Sequence, residues 1–152
     1  MSAAVRKFLL KLVLEEAIRR EEQAYTFYED ARAAVQEPAA SDLLRRLAGA
    51  ELRHRLKLEE LQRHAGPELT LETASPEEVE LLVSADPVRF APGQPIRIED
   101  VWRIALAKER QAQAAYALLA RKAALEVFRE VFTFLSAEEG RHVEWVRGMA
   151  GA

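Results

Sequence analysis

Apolar residues recur at steps of three and four along most of the chain, and this spacing predicts amphipathic helices. Pro38 interrupts the first helical stretch, and Gly66-Pro67 ends the second. The periodicity resumes near Ile98 and continues almost to the end of the sequence. We therefore predict a first helix over about 3–36, a second over about 41–65 with Ser41 as its N-cap, and further helical structure from residue 98 onwards.

An internal repeat divides that last stretch in two. When the sequence is shifted by 88 residues, the motif E-x-Q-A-x-x-x-Y that starts at Glu21 falls on the same motif starting at Glu109. The motif E-x-R-H follows thirty residues later in both halves, at Glu51 and Glu139. The same shift maps the turn of the first half onto residues 124–129, and we predict a break near 122–126. One uninterrupted helix from residue 98 is the alternative.

Residues 66–97 form a long connection between the two halves. Within it, the segment SPEEVELLV predicts a short helix in which Ser75 is the N-cap, Pro76 takes the first position and Glu78 is the capping-box acid. The chain thus reads as a single all-α domain over 1–152. We predict a four-helix bundle made of two helical hairpins, with the long crossover between the second and third helices.

Each of the four long helices carries a carboxylate in the middle of its otherwise apolar seam. The carboxylates are Glu21, Glu51, Glu109 and Glu139, and two of these helices add an imidazole three residues later, from His54 and His142. Burying an unpaired carboxylate costs several kcal/mol or forces protonation, and four close together also repel one another. No Lys or Arg lies on the seams. Two divalent cations would balance four carboxylates, and we predict a metal site formed by these six residues.

The same residues also allow interpretations that involve no metal site. The two Glu-x-x-His pairs could be exposed contacts worth a few tenths of a kcal/mol, although both lie on apolar seams. Tyr28 and Tyr116, one heptad after a seam carboxylate, are either core aromatics or hydrogen-bond partners of that carboxylate group. A bundle with a polar core and no metal is the third possibility.

The composition narrows the function further. The chain has no cysteine, which excludes disulfides, thiol catalysis and cysteine-ligated clusters within it. Its net charge of −3 gives no indication of a nucleic-acid surface. The apolar run near the N-terminus is interrupted by Lys11 and is too short to span a membrane. We expect a cytoplasmic protein without membrane or nucleic-acid partners.

Because the first helix is more apolar than one buried face requires, we also expect a homodimer or higher oligomer.

The sequence resembles the ferritin-like superfamily, and most closely the rubrerythrin-like di-iron carboxylate proteins. The resemblance covers nearly the whole chain and rests on EEQAYTFY, AELRH, KERQAQAAY and AEEGRH. It implies a ferritin-like bundle that holds two iron ions per chain, for which manganese or zinc can substitute. By the same resemblance, Glu51 and Glu139 bridge the metals. Glu21 and His54 would be the terminal ligands of one ion, and Glu109 and His142 those of the other.

The resemblance has departures that bear on activity. Peroxide-reducing rubrerythrins usually carry a rubredoxin domain with four cysteines, which is lacking here, so electrons would come from a separate donor protein. They also usually have an extra glutamate on the third helix, where this chain has Ala112. The resemblance therefore implies an oxidoreductase that reacts with H2O2 or O2, as a rubrerythrin-like peroxidase or a ferroxidase. A non-catalytic module for iron binding or delivery is the alternative.

Overall fold

The protein is a bundle of four long helices in the computed structural model, which describes residues 6–83, 90 and 95–151. In chain order its elements are β1 (Arg6–Leu9), α1 (Leu10–Ala34), α2 (Pro38–Gln62), β2 (Thr70–Thr73), α3 (Pro76–Leu82), α4 (Ile98–Lys122) and α5 (Glu126–Ala150). Helix α1 packs along α2, and α4 packs along α5, so the long helices form two hairpins. The predicted all-α bundle of two hairpins joined by a long crossover is confirmed.

The turn between α4 and α5 lies at residues 123–125, as the internal repeat predicts, and the alternative of one uninterrupted helix is wrong. No glycine or proline marks this turn. Instead, Ala123 and Leu125 both adopt extended backbone angles, with ψ near 129° and 138°. The side chain of Ala123 is buried in the apolar core, which holds the chain at the point where it reverses direction.

Helix α2 begins three residues earlier than predicted. Ser41 is not its N-cap, because the helix starts at Pro38 and the side chain of Glu37 accepts hydrogen bonds from the N–H groups of Ala39 and Ala40. Proline suits the first helical position, where its missing N–H would have no partner and its fixed φ is already helical. Pro38 therefore starts the second helix, whereas the first helix already ends at Ala34.

The predicted first helix is wrong at its N-terminal end, where Arg6–Leu9 form a strand. This strand pairs antiparallel with β2 in the crossover, with Phe8 opposite Leu71. The Leu10 N–H then donates to the Leu69 carbonyl at 2.9 Å, which prevents the helix from extending backwards. Leu71 is buried, and Phe8 packs against the same core. Residues 3–5 of the predicted helix lie outside the described residues.

The short helix α3 forms within the crossover as predicted. The hydroxyl of Ser75 accepts a hydrogen bond from the Glu78 N–H, and Pro76 takes the first position. The Glu78 carboxylate accepts from the Ala74 N–H, one residue before the expected capping-box partner. Helix α3 packs against α4 and α1, which places the crossover over the gap between the two hairpins.

Over the residues that the structure describes, no helix has the length and apolarity needed to cross a membrane.

Two apolar layers fill the bundle, one towards each end. The first includes Leu14, Leu58, Leu118 and Phe132, and the second includes Leu44, Leu47, Val101 and Val146. On each long helix, the seam carboxylate lies between a residue of the first layer and a residue of the second. The fold therefore encloses one polar layer between two apolar layers.

Candidate metal centre

All six predicted site residues lie in this polar layer. Helix α1 contributes Glu21, α2 contributes Glu51 and His54, α4 contributes Glu109, and α5 contributes Glu139 and His142; each is at most 2% exposed. Residues three apart on a helix lie one turn apart on the same face, so each Glu-x-x-His motif directs both side chains to the bundle axis. The reading of these motifs as exposed pairs is therefore wrong.

The donor atoms of the six residues converge in two groups, and within each group they lie within 4.8 Å of one another. One group is formed by Glu21, Glu51, His54 and Glu139, and the other by Glu51, Glu109, Glu139 and His142. Glu51 and Glu139 thus belong to both groups. The two imidazole rings lie nearly parallel, with their centroids 5.5 Å apart.

The distances within the layer are short, but few of the contacts are hydrogen bonds. His54 Nδ1 lies 2.8 Å from Glu139 Oε1, although the oxygen is not aligned with the ring nitrogen as a hydrogen bond requires. His142 Nδ1 lies 3.2 Å from Glu51 Oε1 and 3.3 Å from Glu109 Oε2. Metal–ligand bonds of about 2.1 Å place two ligands of one ion about 3 Å apart, and these separations are of that size.

Several polar atoms of the cluster are buried without a hydrogen-bond partner among the described residues. They are Glu21 Oε2, Glu51 Oε1, His54 Nδ1 and Nε2, and both carboxylate oxygens of Glu139. Leaving a buried polar atom unsatisfied costs about 1–3 kcal/mol, and more for a charged group. Carboxylate oxygens and imidazole nitrogens are also suitable ligands for iron, manganese and zinc. The donor set is therefore suited to binding metal ions.

Without metal, the cluster retains protons. Burial raises the pKa of Glu51 and of Glu139 well above their usual range, and the neighbouring carboxylates raise both further. Burial alone would lower the pKa of His142, but its hydrogen bond with Glu109 and the nearby Glu139 carboxylate, 3.6 Å away, raise it to about 9. Burial also opposes ionisation of Glu109, yet its hydrogen bonds with neighbouring side chains, His142 among them, outweigh this and lower its pKa.

Two tyrosines fix the carboxylates on α1 and α4 from the opposite hairpin. The Tyr28 hydroxyl donates to Glu109 Oε1, and the Tyr116 hydroxyl donates to Glu21 Oε1, both at 2.5 Å. Tyr28 is fully buried and Tyr116 nearly so. Each hydroxyl occupies one oxygen of a carboxylate and leaves the other oxygen directed into the cluster. The 88-residue shift maps Tyr28 onto Tyr116 and Glu21 onto Glu109, so the two hydrogen bonds are equivalent under the sequence repeat.

We expect Tyr28→Phe and Tyr116→Phe each to weaken one of two metal-binding steps by about 10–100-fold, the usual effect of removing a partner that orients a ligand. The change removes one hydroxyl and leaves the ring packing intact. Stepwise titration of the apo-protein with Co(II), followed by its visible absorption, would resolve the two steps. Tyr25→Phe is the matched control, since Tyr25 lies outside the cluster on the same helix as Tyr28. Two unchanged steps in both variants would show that the hydroxyls do not orient ligands.

The third histidine, the arginines of the two E-x-R-H motifs and the two tryptophans lie outside the polar layer. Arg53 and His64 are exposed, and Arg141 forms an ion pair with Glu138. Trp102 is buried in the apolar core. Trp145 has a role that its sequence position does not reveal: its ring lies 5.1 Å from the His142 ring, and the Arg46 guanidinium covers it at 4.4 Å. Trp145 therefore contacts both the buried His142 imidazole and the exposed Arg46 side chain.

Comparison with known proteins identifies the fold. No protein-family model and no curated protein matches this chain. Among solved structures, a hypothetical protein from Pyrococcus furiosus is similar over 95% of this chain and 89% of its own, with a TM-score of 0.76 and 24% identity. A dodecameric thioferritin, the bacterioferritin-related protein of Bacteroides fragilis, covers 91% of this chain and 82% of its own, with a TM-score of 0.69 and 17% identity. A conserved hypothetical protein from Mycobacterium tuberculosis covers 93% and 89%, with a TM-score of 0.67 and 16% identity. The chain therefore has the fold of a ferritin-like four-helix bundle.

Proposed function

We propose that the protein is a di-iron carboxylate oxidoreductase that reacts with H2O2 or O2, as a rubrerythrin-like peroxidase or a ferroxidase. The observation that carries this proposal is the pair of overlapping donor groups, which share Glu51 and Glu139 and hold buried oxygens and nitrogens without partners. A single metal in either group would leave two of the six residues without a role.

The two groups supply the proposed ligand assignment. Glu51 and Glu139 would bridge the ions because they are common to both groups. Glu21 and His54 would complete one ion, and Glu109 and His142 the other. Four carboxylates and two divalent ions sum to zero charge, which makes burial of the whole cluster tolerable. Neutral imidazoles then provide ligands without adding charge.

The protein side chains control access and charge around this centre. When bound, two Fe(II) ions would supply the two electrons that, with two protons, reduce H2O2 to two molecules of water. The two apolar layers shield the cluster from bulk water at both ends of the bundle, and the two tyrosine hydroxyls hold the α1 and α4 carboxylates in place. Because these 152 residues contain no cysteine that could hold a redox-active iron, repeated peroxide reduction would need electrons from a donor outside the bundle.

A homo-oligomer is part of the proposal. The Bacteroides fragilis neighbour is described as dodecameric. In the present chain, Leu9 and Leu12 are 44% and 55% exposed at the start of the first hairpin. Two exposed leucines so close together favour a contact between copies, as a homodimer or higher oligomer.

An anaerobic Fe(II) titration of the apo-protein, followed by stopped-flow mixing with H2O2 and separately with O2, tests the proposal. We expect two Fe(II) per chain and rapid growth of near-ultraviolet absorption with at least one oxidant. Faster reaction with H2O2 would identify a peroxidase, and fast O2 reaction with continued Fe(II) turnover a ferroxidase. Two bound ions that oxidise slowly with both would instead identify an iron-delivery module. Failure to bind two ions would refute the di-iron site.

A further inference from the structure

A cavity of about 270 Å³ opens between α1 and α4, directly over the polar layer. The four seam carboxylates line one side of it, and the rest of its lining combines Ala, Val, Leu and Ile side chains with Tyr116, Gln23 and Gln111. Ala24 and Ala112 each lie one helical turn after a seam carboxylate, and their small side chains leave much of the cavity unfilled. Leu82 of α3 closes part of the rim. The cavity gives an apolar route from outside the bundle to the proposed metal ions.

Three cationic side chains line this cavity, Arg20 from α1 and Arg103 and Lys108 from α4. Arg103 is exposed and its Nη2 lies 3.3 Å from Asp100 Oδ1, so its charge is already paired. Arg20 on α1 and Lys108 on α4 each directly precede a seam carboxylate, and the 88-residue shift superimposes one on the other. The Arg20 Nη1 donates to the Leu81 carbonyl at 2.7 Å, whereas its Nη2 is buried without a partner among the described residues. Lys108 lies over the Phe27 ring at 5.3 Å and forms no ion pair within the described residues.

The carboxylates of the described residues compensate the Arg20 and Lys108 charges poorly. Among these residues, the carboxylate nearest to the Arg20 guanidinium is that of Glu16, 4.0 Å away, and Glu16 forms a shorter ion pair with Arg19 at 2.5 Å. The seam carboxylates would not compensate Arg20 and Lys108 either, since two divalent ions neutralise them. With metal bound, the cavity therefore has apolar walls and an excess of positive charge. Such a site is complementary to an anion with an apolar body.

We propose that the cavity binds a small apolar monocarboxylic acid of about six to eight carbons, with its carboxylate directed to Arg20 and Lys108. A volume of 270 Å³ holds about nine groups of the size of water, which sets this chain length. The inference rests on the proposed metal site, because only a metal-neutralised cluster would accept an anion beside four carboxylates. It extends the proposed function by giving the centre an organic ligand besides its oxidant.

Calorimetric titration of the zinc-loaded protein with octanoate tests this inference. Zinc is redox-inert, so binding is measured without turnover, and two Zn(II) per chain are first established by metal analysis. We expect saturable binding of one octanoate per chain, and binding of octanamide at least tenfold weaker, because charge-assisted hydrogen bonds would be lost. Equal affinity for the acid and the amide, or no binding of either, would overturn the inference.

Two sets of variants locate the binding. Ala112→Leu and Ala24→Leu fill the cavity and should abolish octanoate binding while two Zn(II) still bind. Ala114→Leu, at an exposed position of the same helix as Ala112, is the matched control and should bind both normally. Arg20→Met removes the unpartnered donor and should weaken octanoate binding about tenfold or more. Unchanged affinity in the cavity-filling variants would place octanoate elsewhere and overturn the inference.

Failure of this inference and failure of the proposed function have different signatures. Two Zn(II) per chain without octanoate binding would reject the acid-binding cavity and leave the metal centre standing. Absence of stoichiometric Zn(II) and Fe(II) binding would reject the metal centre and, with it, the inference that depends on its charge balance.

Discussion

Loading the apo-protein with two equivalents of Zn(II) or Fe(II) is expected to raise its melting temperature by about 10–20 °C. A ligand present at a hundredfold excess over its dissociation constant contributes about 2.7 kcal/mol, and two sites contribute about 5 kcal/mol. In a domain of this size, 1 kcal/mol corresponds to about 2–4 °C. The effect is large because the unpartnered atoms of Glu51, His54 and Glu139 gain ligand bonds only when metal is present.

Thermal unfolding followed by circular dichroism, with and without metal, measures this shift. The double variant Glu51→Ala/Glu139→Ala removes both residues common to the two donor groups and should lose the whole metal-dependent increase. His64→Ala is the matched control, because this imidazole is exposed and outside the cluster. If the double variant were stabilised by metal as much as the parent protein, the ions would be bound somewhere other than the polar layer.

The second large effect is a loss of apo-protein stability as the pH rises from about 5.5 to 9. The pKa values of Glu51, Glu139 and His142 are raised in the folded protein, so the folded state binds more protons than the unfolded state. Stability from such groups is fully present below their unfolded pKa and is lost as the pH passes through the folded pKa. For His142, a rise from 6.5 to about 9 corresponds to about 3 kcal/mol.

Urea unfolding of the metal-free protein at pH 5.5, 7 and 9 measures this loss. Glu139→Gln keeps the shape of the side chain but removes its ionisation, and it should make the apo-protein less sensitive to pH and more stable at pH 9. Glu144→Gln is the control, since this side chain is 70% exposed on the same helix and should leave the pH dependence unchanged. Stability that increased between pH 5.5 and 9 would contradict the raised pKa values.

The six residues of the polar layer could be predicted because two independent patterns in the sequence coincide. Helical periodicity places Glu21 and Glu109 on apolar seams, and the 88-residue repeat pairs each of them with a Glu-x-x-His motif. Both patterns are local or periodic, and neither depends on knowing how the helices are arranged. The turn between α4 and α5 was predictable for the same reason, although no glycine or proline marks it.

What the sequence did not reveal depends on contacts between distant segments. The strand Arg6–Leu9 forms because β2, more than sixty residues later, supplies its hydrogen bonds, so helical periodicity alone misassigns it. The cavity depends on the separation of α1 and α4, which no local pattern encodes. Two of its cations did leave a signal, since Arg20 and Lys108 correspond in the repeat, but their proposed role depends on the space beside them, which the sequence does not show.

Each hairpin contributes side chains to the donor group of the other hairpin, and this sharing has an evolutionary consequence. Each hairpin supplies three of the four residues of one donor group. The glutamate of its Glu-x-x-His motif is also the fourth member of the other group. In addition, each tyrosine donates a hydrogen bond to a carboxylate of the opposite hairpin. Two identical copies of one hairpin, related by a twofold axis, would therefore contain every proposed ligand and both tyrosine contacts. Covalent linkage by the crossover adds no ligand to this set; it allows the two halves to diverge, as they have at Arg20 and Lys108.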